Sequence, residues 1–204
     1  MRLALARCLV PILILSSASA AQRATNAARG IVRVVIETDK GNITVSLDSA
    51  NAPKTVANFL RYVDHNFYTG GQFHRTVTPK NQPSDSVKIG VIQGAANAAK
   101  AAESYPPIEV ERTSLTALRH HDGTISMARS GPNTATHQFF ICIGEQPALD
   151  FGGHRNPDGQ GFAAFGQVTG GMSVVRAIHG SPAKGQNLTP PIVIRRIRRA
   201  GGDG

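Results

Sequence analysis

The 204-residue chain is long enough to form one domain with a proper core. With 41% hydrophobic and 17% charged residues, 21 Gly and 12 Pro, its composition is that of a globular protein leaning to strands and loops, which excludes a repeat array or a coiled coil. The formal charge of +9 allows an anionic partner, but apart from Arg195-Arg196 and Arg198-Arg199 the basic residues are scattered, and a solvated basic face is the simpler reading.

Residues 1–20 have the pattern of a secretory signal peptide. Arg2 and Arg7 form the positive start, Cys8 to Leu15 a short apolar run, and Ala18-Ser19-Ala20 a small-residue cleavage site. The apolar run falls short of the ~20 residues that span a bilayer, so stable membrane insertion is not expected after cleavage. Without Arg2 and Arg7, 20 basic residues stand against 13 acidic ones, a balance of +7. Cleavage leaves Cys142 as the single cysteine. It lies in an apolar run, so a buried strand residue is expected rather than a nucleophile.

Residues 21–30 lack an apolar period and form a flexible lead-in to a domain over 31–199, followed by a tail at 200–204. Ile31 to Thr38 and Ile43 to Leu47 are β-branched runs around Asp39-Lys40-Gly41-Asn42, a hairpin signal. Pro53 suits a first helical turn, and Val56, Phe59, Leu60 and Val63 then make one apolar stripe. Phe73-His74-Arg75 follows, and Val77 to Lys88 is expected as a surface loop. Residues 95–107 form a connection, and Ile108-Glu109-Val110-Glu111 alternates as a strand should. Residues 123–128 and 138–143 are further strands, separated by a turn at Gly131-Pro132-Asn133. Residues 150–161 are a loop, Phe162 to Val168 a strand, Met172 to Ile178 a second amphipathic helix, and Ile192 to Ile197 a last strand. The element order predicts a mainly β fold, a closed antiparallel barrel capped by two α-helices.

Six motifs stand in order along this frame: Phe73-His74-Arg75, Gln93-Gly94, residues 123–129, Gly131-Pro132-Asn133-Thr134, Gln138-Phe139-Phe140-Ile141 and Phe165-Gly166-Gln167-Val168. Together they resemble the cyclophilin-type peptidyl-prolyl cis–trans isomerases, most of all the exported bacterial members. The resemblance implies an eight-stranded antiparallel β-barrel with two capping helices and an activity that turns X–Pro bonds. It implies proline-containing peptides and unfolded exported proteins as partners, a periplasmic location (full secretion being equally permitted by a signal peptide) and a monomer. No cofactor, metal or nucleic acid is expected. The paired His120-His121 does not form a zinc pattern, because neighbours in an extended segment face opposite ways.

By the same resemblance Arg75 is the catalytic donor. A guanidinium stays protonated and holds several donors in a fixed fork. Gln93 and Gln138 match positions that bind substrate backbone, Val91, Phe140, Leu149 and Phe162 match walls of the proline pocket, and Ala128 and Arg129 match the strand edge along which a peptide lies. His74 belongs to the same substrate-binding set as a structural neighbour of Arg75, not as a general base, since no proton moves. Taken alone, the two glutamines are ordinary strand amides and Phe140 is plain core.

Three departures accompany the match. The usual pocket phenylalanine falls on Gly90, Ala148 stands where tryptophan is common, and Phe162 replaces a histidine or tyrosine. They imply an altered, shallower pocket. A second reading is therefore a non-catalytic peptide-binding module or holdase chaperone on the same fold. A third, a basic nucleic-acid or surface binder, rests on charge alone and would show steep salt dependence.

Overall fold

The computed structural model describes residues 30–201. The expected signal peptide, the lead-in up to residue 29 and the last three residues lie outside the described residues.

In chain order the described elements begin with β1 (Ile31–Thr38), β2 (Gly41–Asp48), α1 (Pro53–Asp64), β3 (Gly71–Val77) and β4 (Val91–Ala95). Two one-turn helices follow, α2 (Ala98–Ala101) and α3 (Thr113–Thr116), then β5 (Thr124–Met127), β6 (Phe139–Cys142) and β7 (Ala164–Gly170). The chain closes with α4 (Met172–His179), β8 (Ala183–Lys184) and β9 (Asn187–Arg199). All strand pairs are antiparallel, in the order β1-β2-β7-β5-β6-β4-β3-β9, and β1 pairs with β9 to close the ring. Short β8 hangs on β9 alone. The barrel is therefore the eight-stranded one expected, with one added ribbon.

Alternation builds the interior. Val34 and Ile36 of β1 and Ile43, Val45 and Leu47 of β2 point inward and are fully buried. Helix α1 lays Val56, Phe59, Leu60 and Val63 over one barrel end, and the Phe59 ring lies 5.2 Å from Phe165, 5.3 Å from Tyr68 and 5.6 Å from Phe139. Helix α4 buries Val175 and Ile178. Gly94 is needed here: a Cβ on it would come within 2.8 Å of the Phe139 ring.

Three expectations are corrected. Ile108–Glu111 forms no strand; only Ile108 pairs, through one bridge to Ala135. Its acidic residues serve α1 instead. Ala52 at the N-cap has no side-chain oxygen, and the Glu111 carboxylate accepts from the Lys54 and Thr55 backbone N–H groups at 3.0 and 2.7 Å, while Glu109 pairs with the Lys54 ammonium at 2.6 Å. Strand β7 starts at Ala164 rather than Phe162, because Phe162 turns outward and its N–H donates to the Leu149 carbonyl. Strand β9 starts at Asn187, five residues early, since β8 supplies a partner that the apolar pattern does not announce.

The Val77–Lys88 segment is an organised loop. It holds a 3-10 turn at Pro79–Asn81, and the buried Gln82 amide donates to the Thr78 and Ile89 carbonyls at 2.9 and 2.7 Å.

Candidate active site

The site stands on the outer face of β3, β4, β5 and β6. Inward Ile92, Phe139 and Ile141 belong to the barrel core, while their neighbours Val91, Phe140 and Cys142 face outward into a second apolar cluster with Val77, Ile89, Leu149 and Phe162. Loops 78–90 and 150–161 cover this face, which explains why β5 and β6 are buried at every position.

A bulge aims the arginine. Strict alternation would put Phe73 and Arg75 on one face. In β3, however, Phe73 pairs with Gly94 and Arg75 with Gln93, leaving His74 as the extra residue. Phe73 therefore points into the core and Arg75 points outward.

Arg75 is held by neutral amides. Its Nε and Nη2 donate to Gln186 Oε1 at 2.9 and 2.5 Å, and its Nη1 donates to Gln93 Oε1 at 2.9 Å. The Gln93 amide in turn donates to Gln138 Oε1 at 2.8 Å, and the Gln186 amide donates to the Asn81 carbonyl. Burial, and next the charge of Arg155, lower the Arg75 pKa from its very high ordinary value. A guanidinium has five N–H donors; three are engaged, leaving two for a ligand.

Beside Arg75 is an open hollow of about 180 Å³. Val91, Phe140, Leu149 and Phe162 supply its apolar walls, and Gln93, Ala128 and Arg129 its polar rim. The Phe140 and Phe162 rings meet edge to face at 5.3 Å. A second, more polar hollow of about 150 Å³ adjoins it, lined by Gln138 and Thr136 and sharing Gln93, Ala128 and Arg129. Of the residues singled out from the sequence, His74 alone lines neither hollow. Its pKa is lowered, first by burial and then by Arg75.

The Arg129 guanidinium is committed to the 150–161 loop. Its Nη1 and Nη2 bind Asp158 at 2.7 and 2.8 Å, its Nε donates to the Gly161 carbonyl, and its plane lies 4.9 Å from the Phe162 ring. That clamp presents Phe162 to the pocket.

Beneath Phe140 lies a buried polar relay that sequence reasoning missed. His120 Nδ1 is 2.8 Å from Asp150 Oδ1, its Nε2 is 3.0 Å from Ser126 Oγ, and its ring stacks on Phe140 at 16°. Burial alone would raise the Asp150 carboxyl, but the His120 bonds and the Arg119 charge together hold it below its usual value. His121 points the other way, to Glu145. No access to the hollow makes this relay a nucleophile. Burial pushes the nearby Cys142 thiol far up, which makes it inert.

Ile89, Arg155 and Asn156, which line the main hollow, were not foreseen, nor was Gln186, which holds Arg75 from behind. Ile89 alters the reading of Gly90. A Cβ at Gly90 would meet the Ile143 carbonyl at 3.0 Å, on the side of β6, and the apolar wall comes from the residue before it. The apolar residue next to a glycine was the available signal. Gln186 carries none, as it sits in the β8–β9 turn, 111 residues from Arg75 in sequence.

Comparison with known proteins agrees with this geometry. The model of the family described as cyclophilin type peptidyl-prolyl cis-trans isomerase/CLD matches residues 33–199. Peptidyl-prolyl cis-trans isomerase A of Dickeya dadantii is 36% identical over 197 residues, 93% of this chain and 93% of that protein. Peptidyl-prolyl cis-trans isomerase cyp18 of Streptomyces antibioticus is 34% identical over 174 residues, 82% of this chain and 98% of that one. Among solved structures, a cyclophilin-type isomerase of Cryptosporidium parvum superposes with a TM-score of 0.68 at 22% identity, covering 84% of this chain and 99% of its own, a likeness of fold. An arginine aimed outward by a bulge, an apolar hollow beside it and a match over nearly the whole described chain have one common account: the chain belongs to the cyclophilin-type peptidyl-prolyl cis–trans isomerases.

Proposed function

We propose that the protein turns X–Pro bonds of exported polypeptides in the hollow beside Arg75, with Arg75 as the donor to the prolyl nitrogen. The barrier to be lowered is ~18–20 kcal/mol and arises from amide resonance. As the bond twists, resonance is lost and the nitrogen lone pair becomes an acceptor. A donor that meets it only then binds the transition state better than either ground state. Phe140, Leu149, Phe162, Val91 and Ile89 receive the proline ring; Gln93 and Gln138 offer amides to the peptide backbone.

The observation that carries this reading is the arginine itself. It is fixed on two sides by Gln93 and Gln186 and keeps two N–H groups unspent at the rim of an apolar hollow. Export is supported by the pattern of residues 1–20, with the periplasm as the proposed location. Fractionation of cells and N-terminal sequencing of the product test it. A product that keeps residues 1–20 in the cytoplasm would contradict it.

NMR exchange spectroscopy on a proline tetrapeptide, with wild type and Arg75→Ala, tests the chemistry. Fast exchange that falls by about 10²–10³-fold in the variant is expected from loss of a transition-state donor. A peptide that binds wild type without faster exchange would make the protein a binding module instead.

A further inference from the structure

We infer that this pocket selects substrates with a carboxylate side chain next to the proline, and that Arg155 is the residue that reads it. The inference rests on the proposal that the hollow is the peptide site. Arg75, Arg129 and Arg155 all line the main hollow, and among the described residues no Asp or Glu lines it or the hollow beside it. The three cations are not equivalent. Arg129 has both of its terminal nitrogens on Asp158. Arg75 is held by uncharged glutamines, the Asp85 charge offsets less on it than the Arg155 charge adds, and its two remaining donors are left for the reacting bond.

Arg155 is the cation left to recognise a side chain. It rises from the 150–161 loop, where its backbone N–H donates to the Ala148 carbonyl. Its Nη1 donates to the Val87 carbonyl at 2.6 Å, which fixes the guanidinium, and its charge partner is Asp85, whose Oδ2 lies 3.2 Å from both terminal nitrogens. The Arg155 side chain is 14% exposed while that of Asp85 is 41% exposed. A part-exposed carboxylate held through a single oxygen at 3.2 Å is a partner that a ligand can replace or share. Arg155 also lowers the Arg75 pKa, a sign that the two cations repel one another across the hollow. A substrate carboxylate between them relieves that repulsion beside the apolar walls of Phe162 and Leu149. It sits on the side away from the second hollow, which Arg155 does not line.

Tetrapeptides carrying Glu or its neutral isostere Gln, placed just before or just after the proline, decide the matter. Affinity is read by NMR titration and turnover by exchange spectroscopy, and each variant is judged by its own Glu-to-Gln ratio. In one of the two placements wild type binds the Glu peptide about fivefold tighter at low salt, a gap that closes as salt is added. Arg155→Gln collapses the ratio to one, Arg155→Lys keeps part of it, and Asp85→Asn widens it by removing the internal competitor. Equal affinity for Glu and Gln peptides in wild type, or a ratio that survives in Arg155→Gln, overturns the inference. Faster exchange of the Gln peptide reports separately on the isomerase reading. If exchange is accelerated but the ratio is one, acid selection fails alone. If no peptide is accelerated, the isomerase reading fails, and the titration still decides selectivity.

Discussion

Phe139 and Phe140 are neighbours in β6, and they belong to two different apolar regions. Phe139 is fully buried among Phe59, Tyr68 and Phe73 inside the barrel. Phe140 lies on the outside, between the His120 ring and Phe162, and forms a wall of the hollow. The inner region is closed by two helices and is mostly hydrocarbon, with the Tyr62 and Tyr68 hydroxyls bonded to backbone at its end. The outer one is closed by loops and laced with polar bonds: Gln82 to the Ile89 backbone, His120 to Asp150 and Ser126, Arg129 to Asp158. A single strand thus supplies stability from one face and the site from the other, and the period of two keeps the tasks apart.

Substitutions should therefore split by face. The largest effect on stability is expected inside. Phe139→Ala should cost about 3–5 kcal/mol, read by chemical denaturation, with turnover per folded molecule nearly kept. Phe140→Ala should cost less stability and raise KM for a proline peptide. Equal profiles for the two variants would erase the division.

A smaller loss is expected from the relay under the pocket. His120→Ala takes the imidazole away from Asp150 and Ser126, at about 1–3 kcal/mol for a buried polar group, and removes the ring on which Phe140 stacks. Unchanged stability together with unchanged KM would show that the relay neither holds the outer region together nor sets Phe140.

Gln186→Ala sharpens the same distinction within the site. It takes away one of the two amides that hold Arg75, so kcat should fall about tenfold through misplacement while thermal stability hardly changes. A drop in stability with intact kcat would make Gln186 a strut of the β8–β9 ribbon only.

The smallest effect is a pH dependence at the barrel end. His137 Nδ1 accepts the Ala96 N–H at 3.2 Å, which requires an unprotonated nitrogen, and burial, then His74, lower the His137 pKa below its ordinary 6.5. Above that value both folded and unfolded chains are neutral at this site. As pH falls through 6.5 the unfolded chain takes up a proton that the folded chain resists, so stability declines. Denaturation midpoints at about pH 7.5 and about pH 5.5 should differ in that sense, and less so in His137→Gln. A midpoint that rises on acidification would contradict the assignment.

The barrel was legible because its strands repeat a period of two and its caps repeat i, i+3, i+4, i+7, as at Val56, Phe59, Leu60 and Val63. The site was legible only in part. Arg75, Gln93, Gln138 and Phe140 sit in short motifs, but the bulge at His74 that turns Arg75 outward is a matter of register with β4, which no local pattern states. Gln186 reaches Arg75 from a two-residue ribbon too short to show a period. Ile108–Glu111 misled for the opposite reason: its alternation is real, but its carboxylates are spent on the bare N-terminus of α1 rather than on a sheet. Arg155 and Ile89 come from loops whose course depends on Arg129, Asp158 and Gln82, contacts that exist only once the barrel has closed.

The central claim is that a fixed fork of donors at Arg75, and not mere positive charge, lowers the barrier to rotation. Arg75→Lys keeps the charge and removes the fork. Exchange spectroscopy on one proline tetrapeptide, at equal saturation of wild type and variant, compares the two directly. The account predicts that exchange slows by roughly 10²-fold or more, close to the loss in Arg75→Ala. Exchange in Arg75→Lys as fast as in wild type would contradict it, and would assign the catalysis to a point charge in the apolar hollow.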